Sequence, residues 1–297
     1  MLAIAQSGNT YHYLNWTPSE IGPIVTHFGK IKKEIETLEE FIQNHYEILA
    51  EIISTIDNEE PICTYSLDRE NLIFFTSYVN TDNQDLNRWY QKQVKDKSLD
   101  DTMDYYYYPM HSSLGQMLSI AVPKVIRRSF QKNMCSLNAQ LNGISSGIFS
   151  AENGARCWFH ADKLDSYLVW KIGKRKKDEI LYINHNQLES YFSITRTAKK
   201  IKINWQFGNR DSVNMICQYI GLLFDNNNHP EPPVSKIFIY TCNGKIKDVK
   251  DIQKAVGDYI ILLNPLCVLK TTKEEKVNLY STLSLAETGN AFGNIDV

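Results

Sequence analysis

The sequence predicts an α+β protein with a mostly helical N-terminal part and a largely antiparallel, β-rich C-terminal part. Three observations predict it: a long apolar seam at helical spacing near the start, a segment rich in Gly, Ser and Asn near the middle, and apolar–polar alternation typical of strands after that segment. We place a domain boundary in the middle segment. The prediction is therefore a helical domain over residues 1–143 and a β-rich domain over residues 144–297.

The apolar seam extends from Ile31 to Ile56 in steps of three and four residues. This spacing predicts one long amphipathic helix, and the width of its apolar face favours packing against a bundle or a sheet rather than in a two-stranded coiled coil. His45 occupies a seam position, where we expect a partly buried, hydrogen-bonded side chain, with a pH switch as the alternative. The seam consists of Ile31, Ile35, Leu38, Ile42, His45, Leu49, Ile52 and Ile56.

The remaining elements are predicted from periodicity and capping signals. In the N-terminal part we predict a short strand at 11–14, a helix beginning at the capping box 17–20, a strand at 72–79, and helices at 82–94, 112–122 and 124–141. In the C-terminal part we predict a helix at 211–224, a hairpin turn at Asn243 and Gly244, and strands at 167–172, 179–183, 201–207, 237–241, 259–263, 266–270 and 277–285.

Length, charge and cysteine usage limit the class of protein. A chain of 297 residues with 43% hydrophobic residues can bury a sizeable core, and a formal net charge of −2 is not that of a strongly basic nucleic-acid binder. The six cysteines are scattered without a CxxC pair, which predicts reduced thiols and an intracellular, cytoplasmic protein. We expect no membrane span, because no run of 18 apolar residues occurs.

No complete catalytic or metal-binding motif is found in the sequence. Gly143, Ser145 and Gly147 match G-x-S-x-G, but a helix is predicted before the serine where a hydrolase needs a strand. Cys157 and His160 have the spacing of half a metal site, and no second pair completes it. Phosphate-loop and dinucleotide glycine patterns are absent. We therefore assign no catalytic residue, no metal ligand and no cofactor.

Two clusters are candidates for binding. The four adjacent tyrosines 105–108 predict a protein-interaction surface, because tyrosine offers a large contact area at low entropic cost. A run of cations between two predicted strands, extended by a neighbouring strand, predicts a phosphate-contacting patch with aromatic residues nearby for stacking. The candidates are Tyr105, Tyr106, Tyr107 and Tyr108 for protein contact, and Lys171, Lys174, Arg175, Lys176, Lys177, Lys199, Lys200 and Lys202 for nucleic acid.

Three functional hypotheses follow from the sequence. The leading hypothesis is a non-enzymatic interaction or assembly protein that binds a protein partner or associates with itself. A viral source is one form of this hypothesis. The second is nucleic-acid binding through the cationic turn at residues 171–177. The third is an enzyme, either a hydrolase or an NAD-using transferase, without a recognisable motif.

Overall fold

In the computed structural model of the protein, residues 1–34, 38–56, 60–78, 105–113, 116–197, 200–223, 230–272 and 278–292 are described. Within these ranges the helices are α1 (Leu38–Ser54), α2 (Lys124–Ser136), α3 (Gly147–Phe159), α4 (Arg210–Leu223) and α5 (Ile246–Val256). The strands are β1 (Leu2–Ser7), β2 (Thr10–Thr17), β3 (Ile24–Lys32), β4 (Ile62–Leu67), β5 (Ile73–Tyr78), β6 (Tyr105–Ser113), β7 (Gln116–Pro123), β8 (Gln140–Ser146), β9 (Ser166–Lys171), β10 (Lys177–Asn184), β11 (Gln187–Arg196), β12 (Ile201–Gly208), β13 (Lys236–Tyr240), β14 (Ile260–Leu262) and β15 (Lys270–Thr271).

The first sheet has the strand order β15-β3-β2-β1-β4-β8. Strands β1, β2 and β3 form an antiparallel meander, and β4 and β8 continue the sheet parallel to β1. Helix α1 connects β3 to β4 and so carries the chain back across the sheet to lie beside β1, to which β4 is parallel. All six residues of β1 are buried, as expected of a central strand with both faces covered.

The second sheet repeats this plan with the order β12-β11-β10-β9-β13-β14. An antiparallel meander of four strands, β9 to β12, is followed by β13 and β14, which run parallel to β9. Helices α4 and α5 make the crossovers before and after β13. Each of the two sheets thus combines an antiparallel meander with two later strands that run parallel to the meander's first strand.

The predicted fold class is therefore wrong for the N-terminal part. Three strands precede the first helix, and the described chain is β-rich from residue 2 onward. The apolar seam does not form one helix, because Ile31 lies in β3 and α1 begins only at Leu38. The second half of the seam is helical and packs its apolar face against the first sheet. The boundary predicted between residues 143 and 144 falls inside β8, and the division into domains stays a prediction.

Several local predictions also fail. The capping box at 17–20 belongs to the turn between β2 and β3, where the hydroxyl of Ser19 donates to the carbonyl of Gly22 at 2.6 Å. Residues 116–123 form strand β7 rather than a helix. Gly244 is not in a hairpin turn, because helix α5 follows it. A Cβ at this position would lie 2.5 Å from the carbonyl oxygen of Ile172, so the close approach of the backbone requires glycine. The helix predicted at 82–94 lies outside the described residues.

The end of the described chain ties the two large sheets together. Residues Leu283–Phe292 form a 3₁₀-helix, not the predicted strand, and nearly all of them are buried. This segment follows the second sheet in the chain but packs on β1, β2 and β4 of the first sheet and across α3. At the crossing, Gly289 approaches the backbone of α3 so closely that a Cβ would lie 2.2 Å from the carbonyl oxygen of Ser150. We name Leu283–Phe292 the tie segment.

The small third sheet has the order β5-β7-β6. It places Tyr105, Tyr106, Tyr107 and Tyr108 in the edge strand β6, paired with β7. Their side chains lie outside the description, so the protein-interaction surface stays a prediction. No helix of the described chain is both long enough and apolar enough to cross a membrane.

Two buried histidines make the stability of the fold sensitive to acid. His45 stacks on Phe130 with 3.7 Å between ring centroids, and His12 lies 2.9 Å from the hydroxyl of Ser284 through Nδ1. Burial lowers the pKa of His45 to about 3, and burial with the nearby charges of Lys30 and Lys171 lowers the pKa of His12 to about 4. The expected burial and hydrogen bonding of His45 are confirmed, since it contacts Asn133 through Nδ1.

Lowering the pH is therefore expected to destabilise the protein. The histidine pKa in an unfolded chain is about 6.5, so the unfolded chain binds more protons below that pH than the folded chain does. Stability that is fully present above about pH 6.5 is lost as the pH falls, by about 2 kcal/mol for each histidine at about pH 5. Urea unfolding near pH 7.5 and pH 5 measures this loss. In His45→Phe, the loss of stability between the two pH values should be about 2 kcal/mol smaller than in the unchanged protein. A loss as large as that of the unchanged protein would contradict the lowered pKa of His45.

Candidate functional site

A cleft of about 860 Å³ lies between the two large sheets. One wall is the segment that follows β4, residues 68–70. The other wall is the β9–β10 turn with parts of β11 and β12, and Asn243 after β13 completes the lining. We name it the central cleft, and the turn at residues 173–177 the basic turn.

The basic turn is held in an unusual backbone conformation. Arg175 and Lys176 have φ values of 56° and 60°, a left-handed conformation that costs a non-glycine residue about 1–2 kcal/mol. Gly173 is required because a Cβ there would lie 1.7 Å from the carbonyl oxygen of Lys177. The backbone N–H of Gly173 donates to Asp178 at 3.2 Å, and that of Lys174 donates to Asn243 at 3.1 Å. The turn thus presents four consecutive exposed cations from a fixed backbone.

Asp178, which accepts the backbone N–H of Gly173 in this turn, is buried and paired with a cation. Asp178 forms an ion pair with Arg196 and accepts a hydrogen bond from the indole N–H of Trp170 at 2.9 Å. Burial raises the pKa of Asp178 from its usual value, although Arg196 and the hydrogen bonds oppose that shift. Asp178 therefore serves the geometry of the turn and is not available to a ligand.

Lys171 forms the floor of the central cleft. Its Nζ lies 2.8 Å from Glu287 of the tie segment and 3.7 Å from Asp68 after β4. Burial alone would lower the pKa of Lys171, but Glu287, Asp68 and Glu179 together raise it well above its usual value, so the ammonium stays charged. Glu287 also accepts the hydroxyl hydrogen of Tyr240 at 2.9 Å. One buried cation therefore joins Asp68, which follows β4, to Glu287 of the tie segment.

Arg69 crosses the cleft from the first wall to the second. Its guanidinium carbon lies 4.8 Å from the ring centroid of Trp205 and 5.4 Å from that of Tyr191, within cation–π range. Its Nη1 donates to the hydroxyl of Tyr191 at 3.3 Å, and that hydroxyl donates to Glu179 at 2.6 Å. Arg69 and Lys171 are thus two cationic links between the walls.

A further link joins two turns across the cleft. The amide of Asn243 donates to the hydroxyl of Ser7 at 3.3 Å, while its carbonyl oxygen accepts the N–H of Lys174. Asp68 in turn accepts the backbone N–H of Gly8 at 2.8 Å. The β1–β2 turn of the first sheet and the basic turn of the second therefore meet at the cleft.

The structure brings together only part of the predicted cationic patch. Lys174, Arg175 and Lys177 line the cleft, Lys171 is buried at its floor, and Lys176 is exposed on the turn outside the lining. Lys200 and Lys202 are exposed at the start of β12, also outside the lining, and Lys199 lies outside the described residues. Of the aromatic residues near this patch, Trp205 lines the cleft, and both Trp205 and Tyr191 lie within cation–π range of Arg69.

The G-x-S-x-G match and the Cys157 and His160 pair do not form a second site. Ser145 does lie between a strand and a helix, contrary to the predicted context, but its hydroxyl donates to the carbonyl of Ser146 at 3.5 Å rather than to a histidine. Cys157 lies in α3 and His160 ends that helix. Within the described ranges, no group of three or more His, Cys, Asp or Glu residues could hold a metal ion.

Sequence reasoning missed Asp68, Arg69, Glu179, Asn243 and Glu287. These residues lie in four separate segments, and no local motif marks them. The one available signal was the Asp-Arg pair directly after the apolar strand β4, since polar residues at strand ends often line sites.

Comparison with known proteins defines the fold. No family model matches the chain, and no curated protein matches it in sequence. The solved structure of the PilM-PilN type IV pilus biogenesis complex aligns over 99% of this chain and 98% of the matched chain, with a TM-score of 0.62 and 8% identity. The chain therefore has the fold of that pilus biogenesis component.

Two further solved structures align less well, with TM-scores under 0.5. The cytoplasmic domain of EpsL, an inner membrane component of the type II secretion system of Vibrio cholerae, gives 0.48 at 11% identity over 96% of this chain and 93% of that one. A Bacteroides thetaiotaomicron protein described as having an actin-like ATPase fold and unknown function gives 0.44 at 7% identity over 95% and 94%.

The full-length fold match overturns the functional prediction from sequence. A viral, non-enzymatic assembly protein built on a helical N-terminal domain is wrong, because the two-sheet fold is that of a type IV pilus biogenesis component. The nucleic-acid alternative rested on the cationic turn at residues 171–177, the hydrolase alternative on the G-x-S-x-G match, and the transferase alternative on the strand-rich C-terminal half; the fold match supports none of them.

Proposed function

We propose that the central cleft binds a phosphate-bearing ligand of the nucleotide class. The observation that carries the proposal is the fixed basic turn, which places Lys174, Arg175 and Lys177 along the same cleft as the indole of Trp205. Cations on a rigid turn suit phosphate oxygens, and an aromatic ring suits a planar base. The cleft volume is within the range of about 300–1,000 Å³ that small-molecule sites occupy.

The polarity of the lining supports the same ligand class. The cations lie at the turn, whereas Ser193 and Asn204 lie beside Trp205 on the neighbouring strands and offer hydroxyl and amide groups. A ligand with an anionic end and a planar, hydrogen-bonding end matches this arrangement. The left-handed residues Arg175 and Lys176 add support, because strained backbone is concentrated at functional sites.

Neutralising the turn is expected to weaken ATP binding by at least about 1,000-fold, since each charge-assisted contact contributes about 1.5–3 kcal/mol and the three act on one ligand. The variant is Lys174→Gln, Arg175→Gln and Lys177→Gln combined, measured by isothermal titration calorimetry with ATP. The matched control changes three exposed lysines outside the cleft, Lys200, Lys202 and Lys247, to glutamine. Equal affinities in the two triple variants, or no ATP binding by the unchanged protein, would refute the proposal.

We also propose a protein partner that docks along β8. The similar solved structure is a complex of two proteins, and in this chain β8 is an edge strand beside a groove of about 250 Å³. Val122, Leu141 and Ile144 give the groove an apolar lining. An exposed edge with adjacent apolar pockets suits an extended segment of another protein.

A peptide selection tests this second proposal. Random peptides displayed on phage should be enriched by the unchanged protein and not by Leu141→Asp, whose folding is checked by circular dichroism. Enrichment of the same peptides by both proteins would contradict docking in this groove.

We further propose that the protein works in the cytoplasm. All six cysteines are free thiols, and three of them (Cys135, Cys157 and Cys267) are exposed, which supports a reducing compartment. Fractionation of cells followed by immunodetection tests this, and recovery from an oxidising compartment would contradict it.

A further inference from the structure

We infer that Arg69 contacts the phosphates of the ligand directly, from the wall opposite the basic turn, so that cations on both walls hold the ligand. The inference rests on the proposed function and adds one binding residue to it. Arg69 belongs to the wall that follows β4, whereas Lys174, Arg175 and Lys177 reach the same cleft from the second wall. Four properties of Arg69 support this role: a fixed backbone, an aromatic support, unused hydrogen-bond donors and a short distance to the basic turn.

The backbone at Arg69 is held in place by hydrogen bonds. Asp68 accepts the N–H of Arg69 through Oδ1 and the N–H of Gly8 through Oδ2, each at 2.8 Å. Two residues further on, the amide of Asn71 donates to the side-chain oxygen of Gln6 at 2.9 Å. The short 3₁₀ turn Arg69–Asn71 is thereby fixed to the first sheet at both ends, so the position from which the side chain starts is set before a ligand arrives.

Aromatic rings support the guanidinium group of Arg69. Its carbon Cζ lies 4.8 Å from the ring centroid of Trp205, 5.4 Å from that of Tyr191 and 5.5 Å from that of Phe74 in β5. Cation–π attraction of this kind does not consume N–H donors. The rings therefore orient the cation while leaving its hydrogen-bonding groups available, and such preorganisation lowers the entropic cost of binding.

Most of the hydrogen-bonding capacity of Arg69 is unused. A guanidinium group has five N–H donors, and here Nη1 donates to the hydroxyl of Tyr191 at 3.3 Å, while Glu179 at 3.8 Å is beyond hydrogen-bond distance. Among the described residues, Nε and Nη2 have no hydrogen-bond partner, and the neighbouring Glu70 forms no ion pair with Arg69. The side chain is 26% exposed. A planar cation with available donors suits phosphate oxygens, which accept two N–H groups side by side.

The distance from Arg69 to the basic turn suits a short chain of phosphates. Glu179, which lies 3.8 Å from Nη1 of Arg69, is two residues along β10 from Lys177. Two residues of a strand span about 7 Å, and their side chains lie on the same face. Both Lys177 and Glu179 line the cleft. One ligand with several phosphates can therefore contact Arg69 and the basic turn together.

The position of Arg69 also indicates which part of the ligand it serves. Its guanidinium group covers a face of Trp205, so a base that stacked on that face would have to displace it. A phosphate that contacts Nε and Nη2 needs no such displacement. The contribution of Arg69 should therefore follow the phosphates and not the base.

Calorimetry of Arg69→Gln with ATP and with inorganic tripolyphosphate tests the inference. We expect the Kd of both ligands to rise at least about 10-fold, as for the loss of a charge-assisted contact. Arg156→Gln is the matched control. Arg156 also pairs with a glutamate, Glu152, which accepts a tyrosine hydroxyl hydrogen, that of Tyr167 at 2.7 Å, and it lies outside the cleft lining. This control should leave both affinities unchanged.

Arg69→Lys provides a second variant that keeps a positive charge beside Glu179, and it tests the inference even if Arg69→Gln does not fold. Lysine lacks the planar fork and the aromatic support of its ring-like group, so the Kd for ATP should rise at least about 3-fold. An affinity equal to that of the unchanged protein would overturn the direct contact by the guanidinium group. Circular dichroism checks the folding of all three variants.

The outcomes separate the inference from the proposed function. Equal Kd values for ATP in Arg69→Gln and Arg156→Gln would overturn the inference and leave the proposed function intact. A loss with ATP but not with tripolyphosphate would also overturn it, because Arg69 would then serve the base. Equal affinities of the unchanged protein for ATP and tripolyphosphate would overturn the nucleotide class of the proposed function, and absence of ATP binding by the unchanged protein would overturn both proposals.

Discussion

Replacing Lys171 with methionine is expected to lower the free energy of unfolding by about 3–5 kcal/mol, because removal of one partner leaves buried carboxylates uncompensated. Glu287 is fully buried and Asp68 nearly so, and both face the Nζ of Lys171. The methionine side chain fills similar space and removes only the charge. Urea unfolding followed by circular dichroism measures the loss.

Two companion variants isolate the cause of this loss. Lys236→Met removes a lysine whose Nζ donates only to the exposed carbonyl of Asp258, and it should change stability by less than about 1 kcal/mol. The double variant Lys171→Met, Glu287→Gln should be more stable than Lys171→Met alone, since it removes one of the two uncompensated charges. A loss below about 1 kcal/mol for Lys171→Met would contradict the buried pairing at the floor.

Replacing Gly289 with alanine is expected to cost about 3 kcal/mol, since overpacking against a fixed backbone strains both elements. The added Cβ would lie 2.2 Å from the carbonyl oxygen of Ser150 and 2.5 Å from the backbone nitrogen of Gly154, so α3 and the tie segment must separate. Because the tie segment carries Glu287 to the floor of the cleft, ATP binding should weaken as well. Thermal unfolding and calorimetry measure the two effects.

Gly221→Ala is the matched control for this change. Gly221 lies in α4, and its added Cβ would meet only the side chain of Ile201 at 3.9 Å, an ordinary contact. Alanine is the better helix former by about 1 kcal/mol, so this variant should be slightly stabilised. Unchanged stability of Gly289→Ala would show that the two segments do not cross as closely as described.

The basic turn was the part of the site that the sequence could predict. Cations at 174–177 directly follow an apolar run, and the next apolar run begins at 180, so a turn between two strands was the natural interpretation and is confirmed. Three of its exposed cations do line the central cleft. What the sequence could not show is what faces them, because Ser7 and Asn243, which meet beside this turn, are 236 residues apart.

The errors in the fold have physical causes. Ile31 shares the helical phase of the seam, yet it belongs to a strand, since one residue satisfies both a period of two and a period of 3.6. Residues 116–123 form a strand whose last six residues are buried, which gives an apolar run without alternation, and such a run resembles a buried helix. Nearly all residues of the tie segment are buried, so its polar residues do not alternate with apolar ones in a way that shows which side faces solvent.

The duplicated plan of the two sheets was also invisible in the sequence. The antiparallel meander and the two parallel strands beside it correspond in the two sheets, although the edge strand β15 runs parallel to β3 while β12 runs antiparallel to β11. A sheet requires only apolar residues in the right phase, so this likeness needs no shared residues. For the same reason the fold match to a pilus biogenesis component appears at only 8% identity. Long-range pairing, not local pattern, determines this architecture.

Hydrogen exchange of the protein with and without ATP tests the central claim most directly. If the central cleft binds a phosphate-bearing ligand, ATP should slow exchange in the basic turn (residues 173–177) and in β12 around Trp205, while the exposed end of β12 at Lys202 remains unchanged. Absence of any slowing in the basic turn at saturating ATP, or slowing confined to segments outside the cleft, would contradict the account.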